Sequence, residues 1–329
     1  DSRCDESLLS CQSEKKFKIM PDMLSIGESM IELFSEEPMD RAETFTRSVA
    51  GDSLNIIVAA SRLGTSTGYI TKLGNDPFEA YLLDTFTSEG IDTTHVLSSD
   101  GFNAAHFVTV MPDGDREFVY YRSGSAPSTI KPKELNPEYI RDAKIMHCSG
   151  IAQAISPSSR ATVLAAAQIA HLNGVLVSYD PNYRHQLWNP SEAREAMEEL
   201  MPYVDIFLPS APADAEVLFE TDNPQQVIHE ANLRGVKTVV VTLGEDGALI
   251  GTENEVLRLD PLPAGPVIDT TGAGDSFKGG FIHGFLEGKS MLESALIGNV
   301  CAGITITGRG ALGPMPYRDE VYDKVRNLS

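Results

Sequence analysis

The sequence contains no apolar run near the roughly 18 residues that a membrane span requires, and nothing near its start has the basic-then-apolar layout of a secretory signal. Positive charge is scarce, with 26 Lys and Arg against 47 Asp and Glu, a formal net charge of -21. This balance disfavours nucleic acid and anionic membranes as partners. Any anionic substrate must therefore be bound by local positive groups.

Cysteine is nearly absent as well. The four residues Cys4, Cys11, Cys148 and Cys301 form no metal-ligand spacing. Cys148 and Cys301 lie in apolar segments, which predicts that they belong to the core. This usage favours a reducing compartment, and we expect a cytoplasmic protein.

A length of 329 residues with 42% hydrophobic content allows one large α/β domain. Residues 1–22 are polar and have no period that would bury a face, so we predict a poorly ordered N-terminal extension. The sequence does not decide what this extension is for. Residues 23–329 are predicted to form the domain.

From Met23 onward, short apolar runs alternate with helical patterns, which is the order expected of a parallel sheet covered by helices. The predicted strands are 23–27, 68–73, 175–179 and 237–243, and the predicted helices include 52–63, 77–89 and one from Ser156-Pro157 to Asn173-Gly174. One region breaks the alternation. There, the β-rich runs 106–111 and 116–121 flank residues 112–115, whose sequence Pro-Asp-Gly-Asp is a hairpin turn signal.

The most informative segment is 269–277, with sequence DTTGAGDSF. Gly272, Ala273 and Gly274 predict a helix entrance whose backbone N–H groups can approach a phosphate. Asp275 follows directly and is expected to be ionised near pH 7, so that it can accept the proton of a substrate hydroxyl as general base. The alternative is an ordinary glycine-rich strand-to-helix turn.

This segment resembles the second signature of the ribokinase-like (PfkB) carbohydrate kinases, and the resemblance extends along nearly the whole chain from Met23. It implies an α/β fold with a central, mostly parallel sheet flanked by helices, and a small β-sheet lid contributed by roughly 30–50 and 104–123. It also implies ATP and Mg²⁺ as cofactors, Asp275 as the catalytic residue, and a homodimer or higher homo-oligomer formed through the lid.

Three segments carry clues to the substrate. At 50–55, Gly51, Asp52 and Asn55 can face a polyol, although Asp52 alone could simply cap the helix. At 120–122, Arg122 beside Tyr120 can hold a carboxylate through paired N–H donors, or it can be a solvent-facing edge residue.

The third segment is 180–184. Arg184 follows a buried strand, where ligands gather in α/β sheets. It can bind a carboxylate or the moving phosphate, or it can brace the loop against Asp180.

Together with 27–33, these segments resemble the 2-keto-3-deoxygluconate kinases of the family. The resemblance implies a sugar-acid pocket lined by Gly51, Asp52, Asn55, His106, Tyr120, Arg122 and Arg184, and phosphorylation of the terminal hydroxyl to give the 6-phosphate. Several sugar-acid kinases have a tyrosine in place of His106, which could alter the preferred acid. A fructokinase or other neutral-sugar kinase is the alternative, and a non-catalytic kinase-like binding protein is a further one.

The nucleotide side rests on the same resemblance. Residues 241–248 correspond to the strand-to-turn segment near ATP, with Thr242, Gly244 and Gly247 as contacts. Asn299 corresponds to a position bordering the adenine, or else it is a hydrogen-bonded core residue. The usual Asn-x-x-Glu near the metal is absent at 210–214, so Asp214 or Glu216 could stand in for it, and Asp214 is the candidate magnesium residue. Ala311 replaces an aspartate that some relatives place against the substrate.

Overall fold

The computed structural model describes residues 20–110, 116–252 and 255–328. Within them lie thirteen strands, numbered β1 to β13 in chain order: Met23–Ile26, Met30–Ser35, Thr46–Ala50, Thr67–Gly74, Val96–Ser99, Ala104–Val110, Arg116–Tyr121, Ile145–Ser149, Leu176–Asp180, Ile206–Phe207, Thr238–Thr242, Ala248–Gly251 and Val256–Leu259. The α-helices of the same residues are α1 to α11: Asp52–Arg62, Glu79–Ser88, Pro137–Arg141, Gly150–Ala154, Pro157–Leu172, Pro190–Leu200, Ala213–Phe219, Pro224–Leu233, Ala273–Leu286, Met291–Thr305 and Arg318–Leu328.

In this part of the chain, nine strands form the main sheet in the order β13-β12-β11-β10-β9-β8-β1-β4-β5. Neighbours pair in parallel from β11 to β5, and only β12 and β13 are antiparallel additions at one edge. The predicted α/β class with a mostly parallel sheet is therefore confirmed. Each predicted strand and helix is found within one or two residues of its expected ends.

The main sheet is covered on both faces. Because successive strand residues point to opposite sides, Ile145 packs with α1 and α9 whereas Met146 packs with α5 on the other face. The predicted core positions Cys148 and Cys301 are both buried thiols. Cys4 and Cys11 lie outside the described residues, as does nearly all of the predicted extension.

A second sheet of four strands stands apart, in the order β3-β2-β6-β7. β6 and β7 pair antiparallel, as the hairpin signal predicted, and β2 joins β6 in parallel. The predicted turn at 112–115 lies outside the described residues. All four strands fall within the two segments predicted for the lid.

Local sequence fixes several helix starts. The Ser156 hydroxyl accepts a hydrogen bond from the Ser159 N–H, and Pro157 opens α5 at the first helical position. α6 begins similarly with Asn189 before Pro190, and Glu192 closes a reciprocal capping box. No helix among 20–110, 116–252 and 255–328 is both long and apolar enough to cross a membrane.

Helix α9 is held unusually close to α1. Gly279 faces the α1 backbone, and a Cβ added there would lie 2.5 Å from the carbonyl oxygen of Ile56 and 2.6 Å from the Cβ of Ala59. Gly280, next to it, lets α10 approach from the other side. The position of α9 relative to α1 thus depends on the absence of these side chains.

We predict that Gly279→Ala lowers the free energy of unfolding by about 1–3 kcal/mol, because the added methyl group forces α9 away from α1. Gly313→Ala is the matched control, since its Cβ would meet only the Arg309 carbonyl oxygen at 3.6 Å, an ordinary contact. Urea unfolding of both variants measures the difference. Equal stability of the two variants would contradict this account of the packing.

Candidate active site

A cavity of about 810 Å³ opens at the carboxyl ends of the parallel strands, facing the small sheet. Of the residues predicted from the sequence, those lining it are Gly51, Asp52, Asn55, His106, Tyr120, Arg122, Arg184, Thr242, Gly272, Gly274 and Asp275. The fold therefore gathers the predicted base and every predicted substrate residue around one space.

Asp275 lies in the first turn of α9. Gly272 precedes this helix with φ of 75°, a left-handed conformation that favours glycine. Asn55 of α1 donates a hydrogen bond from Nδ2 to Asp275 Oδ2 at 2.7 Å. The two helices thus fix the carboxylate between them.

Burial raises the pKa of Asp275 to about 6, and the charge of Lys278 opposes this rise. The shift is opposite to the one expected from a helix N-terminus, because loss of hydration outweighs the dipole. The group is still mostly ionised at pH 7. Its raised basicity suits a group that must accept a proton near neutral pH.

Lys278 is a cavity residue that the sequence interpretation missed. Its Nζ lies 2.5 Å from Oδ2 of Asp180, and both side chains are buried. The alternative of an Asp180 to Arg184 brace is therefore wrong. Arg184 donates instead to the Tyr183 carbonyl oxygen and stays exposed at the cavity wall. The spacing of three residues from Asp275, which puts Lys278 on the same helix face, was the available signal.

Glu28 is the second missed residue. Nη2 of Arg122 donates to its Oε2 at 2.5 Å, and the carboxyl is only 2% exposed. Burial raises the pKa of Glu28 although Arg122 opposes the rise. Among the described residues, Arg122 Nε is buried and has no acceptor. Arg122 is thus an interior cation with a donor left over, which excludes the solvent-facing alternative.

The small sheet places His106 opposite Glu32 on one side and Tyr120 on the other. His106 Nε2 and Glu32 Oε2 are 2.9 Å apart, and Ser48 donates to the other carboxyl oxygen. His106 Nδ1 is buried without a partner among the described residues. Protein atoms enclose this nitrogen, although the residue itself lines the cavity.

Asp52 does not cap α1. Gly51 is the N-cap and Asp52 is the first helical residue, only 8% exposed. Nδ2 of Asn182 approaches its Oδ2 at 3.4 Å, which joins α1 to the loop after β9. Asp52 therefore presents its carboxylate at the cavity wall rather than satisfying the helix end.

Most of the residues predicted to bind the nucleotide and the metal do not line this cavity. Thr242 lines the cavity, whereas Gly244, Gly247 and Ala273 do not. Asn299 donates from Nδ2 to the Asp260 carbonyl oxygen at 2.6 Å. This bond and its burial agree with the alternative of a hydrogen-bonded core asparagine, and a contact of Asn299 with adenine stays a prediction.

Asp214 is buried away from the cavity. Its oxygens accept hydrogen bonds from the N–H of Tyr183 and from the N–H and hydroxyl of Ser210. A carboxylate so occupied braces two loops and does not fit a magnesium ligand, which corrects the tentative assignment. Across the described ranges, no three His, Cys, Asp or Glu side chains group as a cation site.

We predict that Arg122→Met lowers the free energy of unfolding by about 3–5 kcal/mol at pH 8, because it leaves the Glu28 carboxylate buried and unpaired. The loss should shrink toward pH 6. Without Arg122, the pKa of Glu28 would rise further, so the native state would bind more protons than the unfolded chain and stability would fall with rising pH. Urea unfolding at both pH values tests this.

The double variant Glu28→Gln with Arg122→Met is the control, since it buries no charge. It should be more stable than the single variant at pH 8. A loss in the single variant that is the same at both pH values would contradict the role assigned to the buried pair.

Comparison with known proteins agrees with this geometry. Residues 20–318 match the pfkB family carbohydrate kinases. Fructokinase-2 of Solanum lycopersicum is 32% identical over 316 residues, which are 91% of this chain and 94% of that protein. The 2-dehydro-3-deoxygluconokinase of Bacillus subtilis is 29% identical over 306 residues, 91% of this chain and 94% of that protein.

Among solved structures, the aminoimidazole riboside kinase of Salmonella enterica, complexed with aminoimidazole riboside and an ATP analogue, superposes with a TM-score of 0.80 at 26% identity. It covers 92% of this chain and 99% of its own. The relatives carry the names of several sugar kinases, so they show the kind of enzyme and leave its substrate open. The chain belongs to the pfkB family of carbohydrate kinases.

Proposed function

We propose that this protein transfers the γ-phosphoryl group of ATP to the terminal hydroxyl of 2-keto-3-deoxygluconate, giving 2-keto-3-deoxy-6-phosphogluconate. The observation that carries this proposal is the pairing of the Asp275 carboxylate at one end of the cavity with two guanidinium groups, Arg122 and Arg184, on its walls. A hydroxyl at one end and a carboxylate at the other is what such a cavity would recognise.

At the reacting end, Asp275 takes the proton of the substrate hydroxyl. The hydroxyl oxygen forms a bond to the γ-phosphorus as the bond from that phosphorus to the β,γ-bridging oxygen breaks, and ADP leaves with the electron pair. Gly272 and Gly274, which line the cavity, would turn their backbone N–H groups toward the charge on the transferring group, whereas the Ala273 N–H donates to the Thr270 carbonyl oxygen. General acid–base catalysis contributes about 10²–10⁴-fold, so positioning and electrostatics must supply the rest.

ATP as cosubstrate is supported by the Salmonella relative with its bound ATP analogue. Mg²⁺, when bound, would neutralise charge on the phosphates. Because Asp214 does not fit a metal ligand and no other acidic cluster exists among the described residues, we expect the phosphates and water to supply most of its coordination.

At the far end, Arg122 and Arg184, which both line the cavity, would bind the carboxylate through their guanidinium groups. Tyr120 packs against Arg122, with the guanidinium 5.5 Å from its ring centroid. His106, also on the cavity wall, would contact a sugar hydroxyl. Closure of the small sheet over the sugar would exclude water that competes for the phosphoryl group.

A neutral ketose such as fructose is the second candidate. Two observations favour it: most of Arg122's charge is balanced by Glu28, and relatives similar to this chain include plant fructokinases. The reacting end would serve either substrate equally.

We also propose a homo-oligomer formed through the small sheet. β7 lies at an edge of that sheet and exposes Phe118 and Tyr121. Such an edge of aromatic residues is the kind of surface that a second copy would cover. A cytoplasmic location remains a prediction from composition.

We predict that Asp275→Asn lowers kcat by about 10²–10⁴-fold, because the amide cannot accept the hydroxyl proton. Asp84→Asn, on the exposed face of α2, is the control and should retain activity. ADP release measured with a coupled assay, alongside circular dichroism to verify folding, tests the role. Undiminished turnover in the folded Asp275 variant would refute the proposed mechanism.

We predict that 2-keto-3-deoxygluconate is used with a higher kcat/KM than fructose, ribose or gluconate. Arg184→Met should lower kcat/KM for the keto acid by about 10–100-fold, the usual value of a charge-assisted hydrogen bond, with little effect on fructose. Arg184→Lys keeps the charge and should lose less. A preference for fructose would favour the second candidate. No ADP release with any of the four sugars would favour a non-catalytic binding protein.

A further inference from the structure

Two charged side chains lie behind Asp275 and take no part in the reaction as described. Lys278 is 5% exposed and Asp180 is completely buried, and their charged atoms are 2.5 Å apart. Asp180 is the last residue of β9, and Lys278 lies in the second turn of α9. The pair therefore joins the end of a central strand to the helix that carries the base.

Stability alone does not explain this pair. A buried ion pair often stabilises a protein no more than apolar side chains of similar volume, because both charges lose their hydration. The location is more informative. Lys278 follows Asp275 by three residues, so the two lie on the same face of α9, and both line the cavity.

We propose that Lys278, held in place by Asp180, is an electrostatic positioning residue that keeps Asp275 in its carboxylate form before phosphoryl transfer. This inference rests on the proposed role of Asp275 as the base. It assigns a function to a lysine to which the proposed mechanism gives none.

The other charges around Asp275 do not replace this lysine. Burial acts most strongly against the carboxylate, Asp52 adds a like charge, and Asn55 donates a hydrogen bond but has no charge. Arg184 is attractive but weaker than Lys278, in keeping with its exposed position. Lys278 is thus the strongest of the groups that favour the ionised form.

The pair itself is expected to be ionised at neutral pH. Burial opposes the charge of Lys278, but Asp180 and Asp275 together raise its pKa above the ordinary value. Burial and the nearby Asp214 raise the pKa of Asp180, and Lys278 counters them. The short contact favours the charged pair, since an ammonium and a carboxylate at this distance attract strongly.

The test is the pH dependence of kcat/KM for the best sugar, measured at saturating MgATP so that nucleotide titration is common to all variants. The double variant Lys278→Met with Asp180→Asn removes both charges and leaves none buried alone. We expect the acid limb of its profile, the range in which kcat/KM falls as the pH decreases, to lie about one pH unit higher than in the unmodified protein. The reason is that Asp275 loses the positive charge that acts on it most strongly. Its activity would be about tenfold lower on the acid side, and the loss would shrink as pH rises.

Asp180→Asn alone keeps the lysine and removes a negative charge, so its acid limb should move to lower pH. Lys278→Arg should leave the limb near its original position. A structural role would not produce shifts of opposite sign. An unmoved limb in the double variant, or a loss of the same size at every pH, would overturn the inference.

Asp275→Asn, assayed in the same series, separates the two proposals. If it is inactive at every pH while the double variant keeps the original limb, the inference fails and the proposed function stands. If it remains active, the assignment of the base fails.

Discussion

The site depends on one constraint: a carboxylate must be buried at the start of a helix and still remain ionised. In the proposed reaction, burial of Asp275 would exclude competing water, but it also raises the pKa of the carboxyl and so opposes the charge that a base needs. The surrounding structure offsets that cost. Gly272 precedes the helix in a left-handed conformation, and Asn55 donates to the carboxylate from α1. Gly279 lets the two helices approach closely enough for that bond.

The buried positive charges around the cavity are likewise balanced by neighbouring groups. Arg122 is held by Glu28, and Lys278 by Asp180, and each pair joins two elements distant in sequence. Carboxylates outnumber cations in this protein, which has a formal charge of -21, and any charge buried without a partner would destabilise the fold because it loses its hydration. Each pair places a positive group in the interior, but the partner carboxylate balances most of its charge. Arg184 differs from these two, since it is exposed on the cavity wall and donates only to the Tyr183 carbonyl oxygen among the described residues.

Local signals in the sequence predicted the strands and helices and the glycine-rich start of α9, because their causes lie within a few residues. The Ser156-Pro157 cap and the glycine-rich entrance to α9 are examples. The pairings were not predictable in this way. Lys278 and Asp180 are 98 residues apart, and they meet only where helix α9 lies against the end of β9. The hydrogen bond of Asn299 was not predictable for the same reason, since its partner is a carbonyl group 39 residues away.

The two ends of the cavity are built from different parts of the fold, and this separation bears on substrate choice. The reacting end belongs to α1 and α9, whereas His106, Tyr120 and Arg122 belong to the small sheet and the residue after it. Substitutions in the small sheet can change the far end of the bound sugar without moving Asp275. The relatives at 32% and 29% identity to this chain carry the names of a fructokinase and a 2-dehydro-3-deoxygluconokinase. Under the function proposed above, the choice between such sugars would depend on Arg122 and Arg184 rather than on Asp275.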